Sequence, residues 1–197
     1  HNKKYSKKIS IENLNVLEKI KKEGDRVIFI SGHFNNFELM AMQIEKLGIK
    51  LAALYRPLNN HYLNPIMVNI RKKYICKKQI KKGISGTKDL LINFQQGCSI
   101  ALMIDQRVSQ GIRSNLFKKK ALTTTIPAQF FKKYKTKIVP VYVERQKEND
   151  FKVKFFEPVQ FSNDHSIEFI TEKLNVILEE MISKNPEQWI WTHDRWK

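Results

Sequence analysis

Short runs of β-branched and aromatic residues, alternating with helical periodicities, constrain this chain more than any other feature. Arg26-Val-Ile-Phe-Ile-Ser31 reads as a buried strand, and after a turn at Gly32–Asn35 the residues Phe37, Met40, Ile44 and Leu47 trace one helical face, closed by Gly48. Leu51–Tyr55 is a second strand, stopped by Arg56-Pro57 because the residue before a proline leaves helical space. A helix over Leu63–Tyr74 follows, then an extended piece near Ile75–Ile80, then a helix over Thr87–Gln96 ended by Gly97. Cys98–Ile104 is an apolar strand ending on Asp105; Gln106–Thr125 reads as a long loop and Ile126–Tyr134 as a helix. Ile138–Val143 and Phe151–Phe156 form a hairpin around the polar turn Gln146–Asp150, and Ile167–Ile182 is a long helix before a Trp-rich tail. At the other end, Leu14, Leu17 and Ile20 recur at helical spacing, with Ser10 read as the cap and Gly24 as the stop. The alternation predicts one α/β domain over residues 1–197, with a mixed, mostly parallel central sheet flanked by helices.

Charge narrows the classes of partner. Among 197 residues, 36 Lys+Arg face 19 Asp+Glu, a net charge of +17. Self-repulsion of that size calls for something anionic: nucleic acid, an acidic membrane surface, or phosphorylated or acidic carriers and substrates. The lysine pairs are spread along the chain instead of gathered in a basic arm. A nucleic-acid-binding domain would interleave aromatics with Lys/Arg on one exposed face. Here the aromatics sit mostly in apolar runs, with no RNP, helix-turn-helix or OB-like pattern, so nucleic acid is not the expected partner. No apolar run approaches the ~18 residues a bilayer-spanning helix needs. The chain opens on His1 without a leader, so it reads as a piece of a longer protein. Cys76 and Cys98 lack a CxxC or zinc-like spacing and read as reduced core thiols in a cytosol-facing protein.

In open α/β sheets, ligands gather where strands hand over to helices. Three polar groups fall at such ends: Gly32-His33-Phe34-Asn35-Asn36-Phe37-Glu38 after the first strand, Arg56 after the second, and Asp105-Gln106-Arg107 after Cys98–Ile104. His33 lies in the turn and Glu38 in the first helical turn, so a folded-back His33 can meet the Glu38 carboxylate through one ring nitrogen. The other nitrogen is then available as a general base toward an attacking hydroxyl. Free amides at the helix start can steady an oxyanion. Asn35-x-x-Glu38 is equally a capping box, which would explain Glu38 without chemistry. Other chemistries lack their signatures: no HExxH zinc register, no GxSxG elbow, no Walker loop and no GxGxxG.

These residues resemble the lipid A biosynthesis acyltransferase family, within the glycerophospholipid-acyltransferase-like superfamily. Its His-x4-Asp/Glu block, similar to G-H-F-G-N-W-E, is matched by Gly32–Glu38, with Asn35 for Gly and Phe37 for Trp. A block similar to Y-R-P-x-x-N is matched by Tyr55-Arg56-Pro57-Leu58-Asn59-Asn60, and a strand ending in D-Q by Asp105-Gln106. Gly111, Phe117 and Thr123-Thr124 fit a third loop block, in which Lys118 stands where glycine is usual. The closing block P-E-Q-W-x-W-x-H-R-R-W/F-K is matched over Pro186–Lys197, with Asp194 for the first of its two arginines. The resemblance runs from about Arg26 to the end and lacks the family's N-terminal membrane-anchoring portion.

The resemblance implies a glycerol-3-phosphate acyltransferase-like fold and transfer of a fatty acyl group from acyl carrier protein to a hydroxyl of a phosphorylated lipid A precursor. His33 would be the base and Glu38 its orienting partner. Arg56 would meet acceptor phosphate or the developing oxyanion, with Asn59, Asp105 and Gln106 ordering the pocket. Arg113 and Arg107 read either as phosphate contacts or as solvated arginines. The implied partners are acyl carrier protein, the phosphorylated glycolipid and an anionic membrane, at the cytoplasmic face of the inner membrane. No metal or bound cofactor is implied; the carrier thioester is a co-substrate. A related acyltransferase acting on another lipid is the alternative. Trp189, Trp191 and Trp196 fit either a membrane interface or the core, with core expected for at least one, and His193 is expected to hydrogen-bond locally.

Overall fold

The computed structural model describes residues 8–197, leaving aside the side chain of Ile84. Its first elements are β1 (Ile9–Glu12), α1 (Leu14–Glu23), β2 (Ile28–Ser31), α2 (Glu38–Lys46), β3 (Leu51–Tyr55), α3 (Leu63–Tyr74) and β4 (Lys78–Lys81). Then come α4 (Ile84–Gln95), β5 (Ser99–Met103), β6 (Ile112–Leu116), β7 (Lys119–Thr123), α5 (Ile126–Tyr134), β8 (Ile138–Arg145), β9 (Phe151–Phe155) and α6 (Ile167–Lys184).

Seven strands form one sheet in the order β1-β9-β8-β2-β5-β3-β4. Every neighbouring pair is parallel except the β8–β9 hairpin, as the alternation of elements led us to expect. Strand β2 is buried along its whole length and β5 along most of it, which is why they read as unbroken apolar runs. Side chains alternate between two cores. Ile28, Ile30, Ile100 and Leu102 face α4, α5 and α6, while Phe29, Ala101, Val139 and Val141 face α1 and α2. Each fully buried side chain of this kind contributes on the order of 1.5–3 kcal/mol relative to exposure. Helix α3 stands apart, with no buried residue along it.

Three expectations are corrected. Ser10 is no cap: it lies in β1 opposite Lys152 of β9, and Asn13 precedes α1 in the left-handed region (φ 60°). Helix α4 begins at Ile84, three residues before the expected Thr87. The stretch Gln106–Thr125 is not a plain loop but carries the antiparallel hairpin β6–β7. Its turn residues Phe117 and Lys118 both have positive φ, the backbone of a type I′ turn whose twist suits a two-residue connection.

Candidate active site

The register of the sheet explains why residues distant in sequence share one rim. Ser31 is opposite Met103, and Tyr55 is opposite Lys81. Ala53 is opposite Ala101, so two residues later Tyr55 and Met103 stand level. The chain leaves all four strands along this row, and His33, Arg56, Lys82 and Asp105 follow immediately.

Gly32 permits the tight exit of β2, since a Cβ there would lie 2.9 Å from the Phe34 ring and 3.1 Å from Leu178. The turn brings His33 onto Asp105 twice over. The His33 backbone N–H donates to Asp105 Oδ2 at 2.7 Å, and His33 Nδ1 lies 2.7 Å from Asp105 Oδ1. An ionised carboxylate only accepts, so Nδ1 carries a proton, and whenever the ring is neutral Nε2 presents its lone pair. Nε2 lies 3.5 Å from the Gln106 side-chain amide, a long contact, and Phe37 packs edge-on to the imidazole at 4.6 Å.

Asp105 is 3% exposed and takes a third hydrogen bond, from Trp189 Nε1 at 2.8 Å. Burial by itself would raise its carboxyl pKa. The hydrogen bond from the His33 side chain, that ring's charge, the His33 amide and Trp189 together outweigh burial and hold the carboxyl below its ordinary value. The C-terminal tail completes this arrangement. Ile190 N–H donates to the His33 carbonyl at 3.0 Å, and Asn35 N–H to the Gln188 carbonyl at 3.0 Å. Wholly buried Arg195 donates to the Leu122 carbonyl (2.8 Å) and Thr123 Oγ1 (2.7 Å), anchoring the tail on β7. Gly111 lets that region close, because a Cβ there would sit 2.3 Å from the Thr123 carbonyl. His193 Nε2 accepts the Arg107 amide at 2.9 Å, a bond to the β5 exit 86 residues away in place of the local one expected. Burial pushes the His193 imidazole below its ordinary pKa; Asp105 opposes this, and Arg195, Lys82 and His33 add to it.

The expected hydrogen bond between His33 and Glu38 is replaced by two separate pairs. His33 bonds Asp105, and Glu38 Oε1 accepts from Arg71 Nε on α3 at 2.6 Å. His33, Glu38 and Arg71 nonetheless line one cavity of about 260 Å³. Its apolar floor includes Met40, Ala41, Ala53, Leu54, Ala101 and Met103, and its polar rim includes Arg56, Arg71, Lys82, Gln106 and His193. The surface is thus divided into a greasy slot and a cationic edge, with a hydrogen-bonded imidazole in the same wall. The structure brings His33, Glu38, Arg56 and Gln106 to this cavity, with Asp105 directly behind His33. Arg113 and Asn59 are exposed, Arg113 on β6 and Asn59 in the loop before α3, and neither is among the residues lining the cavity. Among the Trp-tail residues, Trp189 is core, Trp196 packs partly against the core, and Trp191 is 56% exposed.

The profile of the bacterial lipid A biosynthesis acyltransferases matches residues 1–197. The chain belongs to that family. It is 22% identical over 194 residues to lipid A biosynthesis acyltransferase 2 of Shigella flexneri, covering 95% of this chain. The chain spans 60% of the length of that curated relative. Its fold is similar to the crystal structure of the 1-acyl-sn-glycerophosphate acyltransferase of Thermotoga maritima, with a TM-score of 0.56 at 13% identity. That likeness covers 92% of this chain and 73% of the other, and it establishes the glycerolipid-acyltransferase fold.

Within this family member, the His-x4-Glu, Y-R-P, D-Q and tail blocks meet around one cavity, while the Gly111–Thr124 block forms the hairpin that receives the tail. Sequence reasoning missed two members of the site. Arg71 lies on the inward face of α3 with Asn64, Met67, Val68 and Ile75, a phase the helical spacing contained. Trp189 carries an indole N–H that, once buried, requires an acceptor, but nothing in the sequence says which.

Proposed function

We propose that this chain catalyses transfer of a fatty acyl group from an acyl carrier protein thioester to a hydroxyl of a phosphorylated lipid A precursor, at the cytoplasmic face of the inner membrane. The observation that carries this reading is an imidazole whose Nδ1 is occupied by a buried carboxylate, in a cavity that is apolar at its floor and cationic at its rim. His33 Nε2 removes the acceptor hydroxyl proton as the hydroxyl oxygen attacks the thioester carbonyl. Asp105 holds the Nδ1–H tautomer and stabilises the imidazolium. That attack forms the new C–O bond; collapse of the tetrahedral intermediate re-forms the carbonyl and breaks C–S, and the proton on Nε2 passes to the departing thiolate. Glu38 serves this mechanism by holding Arg71 at the wall of the cavity that Arg56 also lines, where guanidinium groups suit a phosphate. The acyl chain takes the apolar floor. The reaction needs no metal and no bound cofactor.

Acyl transfer from loaded acyl carrier protein to a phosphorylated acceptor, followed by mass spectrometry of the lipid products, tests the reading. His33→Ala should lower transfer at least ~10²-fold with the circular dichroism spectrum unchanged. Near-native transfer by that variant would remove the base from the mechanism. Arg56→Ala should raise KM for the phosphorylated acceptor more than for its dephosphorylated analogue; equal losses would remove its phosphate contact.

A further inference from the structure

Helix α3 exposes an apolar stripe beside the mouth of the cavity. Leu63, Ile66, Ile70 and Tyr74 are 51%, 55%, 44% and 41% exposed, and Tyr62, just before the helix, is 89% exposed. On an ideal helix the four α3 residues fall within roughly 80° of one another. A neighbouring face of the same helix, roughly 100° around, carries Arg71, which lines the cavity together with Ile75 just past the helix end. A large exposed apolar stripe on a soluble surface marks an interaction site.

Charge identifies what covers it. Between Glu45 and Asp89 the chain carries eleven Lys or Arg residues and no Asp or Glu. Lys72 and Lys73 are exposed on the last turn of α3, Lys77 just after it and Lys82 just past β4, and Lys73 stands roughly 60° around the helix from the middle of the stripe. The stripe is also graded along its axis, with tyrosines at both ends and aliphatic side chains between. Tyrosine at the margins, aliphatics at the centre and lysines beside them suit the headgroup–acyl boundary of an anionic bilayer. We propose that α3 lies flat in the surface of an anionic lipid bilayer, inserting Leu63, Ile66 and Ile70 and turning the cavity mouth toward the membrane. The inference deepens the lipid-acceptor reading and rests on it for its purpose, but the binding itself requires no chemistry.

Co-sedimentation with phosphatidylglycerol-containing vesicles, against phosphatidylcholine vesicles, tests it on the whole chain. The native protein should partition onto the anionic vesicles only. Ile66→Ser with Ile70→Ser, at exposed positions outside the catalytic machinery, should lower that partition at least ~10-fold while the circular dichroism spectrum stays native. A Tyr62→Trp probe should shift its emission to the blue on anionic vesicles and be quenched by brominated lipid. His33→Ala should bind vesicles as the native chain does, so failure of the chemistry and failure of the surface are separable. Undiminished partition of the double serine variant, or an unshifted Tyr62→Trp emission, would overturn the proposal. So would a native dimer, or a complex with acyl carrier protein, that the serine pair dissolves without changing lipid partition.

Discussion

At Asp105, burial and hydrogen bonding pull in opposite directions, and the outcome sets what His33 can do. Three donors converge on one carboxylate that is 3% exposed, and the charged form is favoured despite the loss of water. Asp105→Asn keeps the shape but presents an amide that can donate to the imidazole, so the Nδ1–H tautomer loses its fixed acceptor. Transfer should fall on the order of 10³-fold or more, measured as kcat at saturating acceptor. The same residue predicts a dependence of stability on pH. Its native pKa lies below the ordinary value near 3.8, so the unfolded chain takes up that proton first as acid is added. The carboxylate's contribution is therefore complete above about pH 4 and is lost as pH falls through the lower native value. Native protein should lose denaturant resistance through that acid window, while Asp105→Asn, weaker at neutral pH, should show a shallower acid slope. Equal slopes would mean the buried carboxylate is not charged. Cys76 shows the contrary balance: burial and nearby Glu45 push its thiol up to about 12, leaving an inert thiol in the core.

At the scale of elements, the β6–β7 hairpin places a lysine where its backbone favours glycine. Lys118 has φ 61° after Phe117 at φ 51°, and an L side chain in that region costs roughly 1–2 kcal/mol. Phe117 is committed there, its amide donating to Glu179 of α6 at 2.6 Å, whereas Lys118 is exposed. Lys118→Gly should therefore raise stability by about 1 kcal/mol, or about 2–4 °C in Tm for a chain of this size. A fall in Tm would show that unfolded-state entropy outweighs the strain. This hairpin also marks the limit of what the sequence made legible. Helices Leu63–Tyr74 and Ile126–Tyr134 have their expected bounds because proline signals and apolar phase agree there. Strands β1, β6 and β7 escaped because they are short and polar and their pairing partners are not encoded locally. In the site, the positions of His33, Arg56 and Asp105 could be read from strand ends. The choice between Glu38 and Asp105 as partner for His33 could not, because β2–β5 register decides it across 72 residues.

At the scale of the whole molecule, the sheet collects the site and the charge supplies its range. Three segments far apart in sequence, the β2 exit, the β5 exit and the C-terminal tail, meet on one carboxylate, so the site forms only when β2 pairs with β5 and the tail is docked. A net charge of +17 acts over longer distances than these contacts. Exposed cations on the rim and on the β3–α3–β4 side raise the local concentration of any anionic ligand, as the proposed acceptor and carrier would be, before contact forms. Salt shortens that reach, the screening length being about 10 Å at 0.1 M and about 3 Å at 1 M. The bonds around Asp105 are buried and are screened far less. Raising salt from roughly 50 to 300 mM should thus lower kcat/KM on the order of 10-fold through association, while kcat at saturation changes by less than about 2-fold. Steady-state kinetics with carrier and acceptor varied in turn would show which partner carries the effect. A fall in kcat with kcat/KM unchanged would place the salt-sensitive charges inside the chemical step instead of on the approach to it.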